Sequence, residues 1–168
     1  MSKIAIIYYS MSENTDYIAK EISKRIDADL IRLVPKKEYP SKGFIKFFWG
    51  GKSAVMKETP ILEEYEFDSN KYNCIIFGTP VWASSFTPPI RTFIKDNNNK
   101  LKDKKIGVFV SYSGGGADKA ILKLREFLQI DNFISELILI DPKEKNKEEN
   151  IKEIERFCNN IKNNQLIK

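Results

Sequence analysis

The feature that most narrows the fold of this chain is an alternation. Five apolar, β-branched runs recur along its 168 residues: KIAIIYY from Lys3, DLIRLV from Asp29, YNCIIFG from Tyr72, KIGVFVS from Lys105 and ISELILI from Ile134. Between most of them, apolar residues recur at three- and four-residue spacing and predict helices over 15–25, about 88–97, 118–128 and 147 to about 163. The first, third and fourth runs are nearly continuous in apolar residues, as parallel strands covered by helices on both faces must be. Right-handed crossovers then imply an α/β fold: a doubly wound five-stranded parallel sheet, order 2-1-3-4-5, with helices on both faces. The length fits a single domain spanning 1–168.

One segment breaks the alternation. Where a short helix would suffice between the second and third strands, an insert runs over about 36–71 and contains YPSKGFIKFFWGGKSAVMKETPIL. Residues Phe44 to Met56 read as an amphipathic helix interrupted at Gly50-Gly51. Phe47, Phe48 and Trp49 would cover a sheet face, or wall a ligand site or a partner surface such as a homodimer contact.

Composition removes several chemistries. The chain has no histidine, which excludes Ser-His and Cys-His catalysis, His-ligated zinc and the usual general base near neutral pH. Cys74 lies in an apolar run and Cys158 on the last helix; neither has a second cysteine nearby, so both read as buried structural thiols. No apolar window is long enough to span a membrane and no leader pattern precedes the first strand, so a cytoplasmic location is expected. The net charge of +5 comes from runs such as KLKDKK that mix signs and lack interleaved aromatics, which argues for a solvated surface over nucleic-acid binding.

In a sheet of this order, ligands bind at the carboxyl ends of the strands near the topological switch, between the first and third strands. The loops that leave the first, third and fourth strands are the most unusual segments: SMSENT, TPVWASSFTPP and SYSGGG. In the first, Ser10, Ser12, Asn14 and Thr15 offer hydroxyl and amide donors beside the start of a helix, a setting suited to a phosphate dianion. A helix N-cap alone needs only one such residue. Neither GxxxxGK[ST] nor GxGxxG is present, which argues against a P-loop nucleotidase and a dinucleotide-binding Rossmann domain. No acidic pair or cysteine stands in the first loop, which argues against a metal-dependent receiver domain and a thiolate phosphatase.

Together, SMSENT, GTPVWASSFTPPIRTF and SYSGGG resemble, in order, the three flavin loops of flavodoxin-fold FMN proteins, and the resemblance covers nearly the whole chain. It implies FMN as cofactor, with Ser10, Ser12, Asn14 and Thr15 on the phosphate and the backbone of Met11 and Glu13 assisting. It implies Thr79, Pro80, Val81, Trp82 and Ala83 along one edge and face of the isoalloxazine, the Trp82 ring supplying a flat surface. The opposite edge falls to backbone groups of Ser111, Tyr112, Ser113, Gly114, Gly115 and Gly116. The flavin carries the chemistry, with no metal and no catalytic side chain. Two features depart from the electron carriers of that family: Gly114 stands where an aromatic commonly stacks, and the chain is basic where carriers are acidic. The expectation is an FMN-binding oxidoreductase that passes electrons to a small acceptor, a quinone or nicotinamide. The alternatives are a one-electron carrier docking on a redox protein and a non-redox mononucleotide-binding module.

Overall fold

The structure, a computed structural model, describes residues 3–39, 57–145 and 147–166. The apolar runs form β1 (Lys3–Tyr8), β2 (Asp29–Arg32), β3 (Tyr72–Pro80), β4 (Lys105–Tyr112) and β5 (Glu136–Ile140), one parallel sheet in the expected order β2-β1-β3-β4-β5. Helices α1 (Asn14–Ile26), α2 (Pro88–Leu101), α3 (Ala117–Leu128) and α4 (Lys147–Leu166) cover it. Period-2 alternation along β1 divides the core into two layers. Ile4, Ile6 and Tyr8 pack with Ile18, Ile22, Ile154 and Phe157 of α1 and α4, whereas Ala5, Ile7 and Tyr9 pack with Ile90, Phe93, Ile121 and Leu124 of α2 and α3.

β3 runs further than its apolar stretch indicates, pairing out to Pro80 opposite Ser111 of β4, so the loops that leave these two strands start side by side. α2 likewise continues past Asn97, whose side-chain amide donates to the Phe93 carbonyl (3.0 Å) and to the Tyr65 hydroxyl (3.1 Å), so the polar residue is satisfied inside the helix. Gly78 is required by packing: a Cβ there would stand 2.2 Å from the ring of Phe109, and Phe109 is fully buried.

The insert is anchored at both described ends by an antiparallel bridge between Pro35 and Leu62, with Tyr65 and Phe67 packed on the α2–α3 layer. The stretch from Phe44 to Met56, with Phe47, Phe48, Trp49 and Gly50-Gly51, lies outside the described residues. Cys74 and Cys158 are buried and unbridged, and burial pushes both thiols up to about 11. No described helix is long and apolar enough to cross a membrane.

Candidate functional site

The loop after β1 is held from below. Ser10 is buried and its Oγ accepts from the Asp16 amide at 3.1 Å, so an upstream serine caps α1 while the formal N-cap, Glu13, adopts a left-handed conformation (φ 64°) without a side-chain cap bond. Asp16 anchors a second layer. It accepts from the Tyr8 hydroxyl at 2.8 Å and pairs with Lys20 at 2.7 Å, and the Arg32 guanidinium stands 3.6 Å away while donating to the Ser10 carbonyl at 3.2 Å. Burial raises the Asp16 carboxyl, but hydrogen bonds from Lys20 and Tyr8 and the charges of Lys20 and Arg32 outweigh it and hold the group below the usual carboxylate range.

Above this base, the backbone amides of residues 11–15 have no hydrogen-bond partner among the described residues. They lie at the positive end of the α1 dipole, an arrangement that attracts anions. Ser12 and Glu13 are exposed and Asn14 is partly so. Thr15 is buried, its hydroxyl 2.8 Å from that of Ser111, which fastens this loop to β4. The Met11 side chain packs against the core and borders a separate cleft of about 380 Å³ with Tyr9, Arg32 and Tyr39.

The loop after β3 turns back sharply. Trp82 and Ser85 exchange two backbone bonds of 2.9 Å, with Ala83 and Ser84 between them at φ 47° and 54°. This is a two-residue left-handed turn built without glycine, strained by its side chains. The Thr79 hydroxyl is buried beneath it, accepting from the Thr87 amide (3.1 Å) and meeting the Thr87 hydroxyl (3.0 Å), so it braces the loop from inside. The Trp82 ring differs from its expected exposure. It is 2% exposed, edge-on to Tyr9 (5.6 Å between centroids) and Tyr39 (5.2 Å), because those rings complete an apolar cluster that the indole fills from the side.

The loop after β4 has two characters. At Gly114 and Gly115 an added Cβ would meet nothing within 4 Å, whereas at Gly116, with φ 85°, it would stand 2.3 Å from Ser84 Oγ and 2.9 Å from Ser84 Cα. Gly116 therefore lets the β4 loop seat directly on the strained β3 turn. A small groove of about 60 Å³ lies where the three loops meet, lined by Ser12, Asn14, Pro80, Val81, Trp82, Ser111, Tyr112 and Ser113. Of the anticipated residues, these eight border the groove; Ser10, Thr15 and Thr79 support it, and Gly114 and Gly115 stand open beside it.

A profile of the flavodoxin domain matches residues 52–147, more than half of the chain. The chain belongs to the flavodoxin domain family. Solved structures extend the likeness across the β1 loop. A Bacteroides eggerthii protein is 19% identical, covering 94% of this chain and 99% of that one, with a TM-score of 0.74. A Lactobacillus acidophilus flavoprotein solved in complex with FMN is 23% identical over 82% of this chain and 93% of that one, TM-score 0.66. The two-electron reduced flavodoxin of Megasphaera elsdenii is 19% identical over 92% and 97%, TM-score 0.57. At these identities the structures share the flavodoxin fold with this chain.

Sequence reasoning missed a fourth contributor, the loop after β5. Asp141 accepts from the Ser113 hydroxyl at 2.6 Å and Lys143 pairs with Glu13 at 2.7 Å. The hydrogen bond and charge of Lys143 hold the Glu13 carboxyl below its ordinary range, and Glu13 in turn raises Lys143. These contacts join positions far apart along the chain, and nothing local in DPKEK announces them.

Proposed function

We propose that the chain, as one flavodoxin-like unit over 1–168, binds FMN where these loops meet and serves as an FMN-dependent oxidoreductase toward a small planar acceptor, a quinone or nicotinamide. The observation that carries this reading is the run of unpartnered amides at 11–15 opening beside a groove that the β3 and β4 loops also line. A phosphate monoester fits that donor set: five N–H groups, the hydroxyl of Ser12, the amide of Asn14, the spare hydroxyl proton of Ser10 and, with Ser111 donating in their 2.8 Å contact, that of Thr15. The groove is far smaller than the ~300 Å³ of an ordinary small-molecule pocket, so it suits the polyol-phosphate tail, with the ring lying across its rim. Main-chain groups of Pro80 to Ala83 border one edge of the ring in this reading, and those of Ser111 to Gly116 the other.

Bound FMN supplies the redox chemistry, receiving electrons from a donor and delivering them to the acceptor. The protein holds the tail, orients the ring and leaves its outer side clear at Gly114 and Gly115, where an acceptor can stack at reacting distance. A cytoplasmic setting belongs to the same reading, supported by two unbridged, buried cysteines. The test is stopped-flow reduction of a quinone by the reduced, FMN-loaded protein before and after Gly114→Trp. The added ring should slow quinone reduction while FMN affinity is kept, since no neighbour lies within 4 Å of the new Cβ. Unchanged quinone reduction, with rapid reduction of a protein acceptor such as a cytochrome, would overturn the enzyme in favour of the carrier.

A further inference from the structure

We propose that Lys143, on the loop after β5, is a cationic residue of the phosphate site and strengthens the preference for a flavin phosphate over an uncharged flavin. The inference rests on the reading of residues 10–15 as an FMN phosphate cradle. That cradle contains one charged side chain, Glu13, and it has the wrong sign for an anion. The carboxylate belongs to the same loop as the amides of 11–15, and its charge opposes the positive field of the α1 N-terminus. Lys143 removes that opposition: its Nζ lies 2.7 Å from Glu13 Oε2, across 130 residues of sequence.

The placement of Lys143 is built into the fold. Asp141 adopts a left-handed conformation, φ 39°, and its amide donates to the Tyr112 carbonyl at 3.1 Å. Its carboxylate accepts from the Ser113 hydroxyl at 2.6 Å and from Lys145 at 2.7 Å. The amides of Glu144 and Lys145 fold back onto the Asp141 carbonyl at 2.9 and 3.0 Å. From α4 the buried Asn150 side chain donates to the carbonyls of Pro142 (3.4 Å) and Lys145 (2.7 Å). Lys143 thus projects from a turn whose residues are fastened on either side of it, and that turn is tied to the same β4 loop that borders the groove. Lys147 and Lys152 on α4 are exposed and show no ion pair among the described residues.

A dianionic phosphate arriving at the amides meets a neutral pair instead of a carboxylate, and the ammonium remains within the site as a counter-charge. Riboflavin, lacking the phosphate, gains nothing from it. Arginine at 143 keeps the charge; methionine keeps the stem and removes it.

The experiment is fluorescence titration of the full chain with FMN and with riboflavin, for the native protein, Lys143→Met, Lys143→Arg, Glu13→Gln and the Lys143→Met/Glu13→Gln double variant. Lys143→Met should weaken FMN about two- to fivefold, the range expected of one largely exposed charge, with riboflavin affinity and melting temperature unchanged. Lys143→Arg should retain native FMN affinity, and the double variant should recover most of the loss, because the carboxylate to be neutralised is gone. The FMN preference should also shrink as salt rises. Native FMN affinity in Lys143→Met, or an equal loss for riboflavin, would overturn the role of Lys143 while leaving the FMN site intact. Failure of the native protein to prefer FMN over riboflavin would overturn both readings together.

Discussion

Substituting Gly116 with alanine tests the contact that seats the β4 loop on the β3 turn. Gly116 sits at φ 85°, where an L-residue costs roughly 1–2 kcal/mol. The new Cβ would lie 2.3 Å from Ser84 Oγ, 2.8 Å from its Cβ and 2.9 Å from its Cα. The hydroxyl can rotate away, but the Cα moves only if the turn moves, and the turn is closed by the paired 2.9 Å bonds between Trp82 and Ser85. Overpacking of this kind costs about 1–3 kcal/mol. The two contributions together give a loss of about 2–5 kcal/mol, a large part of the ~5–15 kcal/mol that holds a domain folded. Urea denaturation of Gly116→Ala measures it directly. Ser84→Gly supplies the control, because it removes two of the three clashing atoms and relaxes the strained φ of 54° at that position. The double variant should therefore be milder than the sum of the two single changes by at least about 1 kcal/mol. A Gly116→Ala protein within about 0.5 kcal/mol of native, the ordinary range for surface substitutions, or strict additivity in the double variant, would refute the packing of these loops on one another.

The hydroxyls of the β1 loop separate into two kinds. Ser12→Ala should weaken FMN by about 1.5–3 kcal/mol, the strength of a hydrogen bond to a charged group, with riboflavin little affected, as flavin fluorescence will show; Thr15→Ala should in addition lower stability by about 1 kcal/mol, since its hydroxyl also meets Ser111 at 2.8 Å. Asp16 predicts a pH dependence: its folded pKa is lowered, so its contribution is present above the unfolded value of about 3.9 and is lost as pH falls through the lower folded value. Thermal melts from pH 5 downward should show Asp16→Asn losing less stability than the native protein across that window, and parallel losses would remove Asp16 from the base of the loop.

What could be read in the sequence was whatever a local pattern decides. Ile4 to Tyr9 alternate between two helical layers because a strand has period two, and that rule needs no knowledge of the partners. The sheet order followed from the handedness of crossovers and the hydroxyl-rich loop from its own composition. The rest depended on contacts that close at a distance. Trp82 reads as a loop aromatic free to face a ligand, yet Tyr9 and Tyr39 stand against its ring and bury it. Three consecutive glycines read alike, but only Gly116 has a neighbour, Ser84, that excludes a side chain; Gly114 and Gly115 face open space. Glu13 reads as a defect in an anion site until Lys143 is seen against it. Each of these is a pairing between loops that leave different strands, and the extension of β3 to Pro80, paired with Ser111 of β4, sets two of those loops side by side. The strand ends, which periodicity locates least sharply, therefore decide how the residues of the site meet.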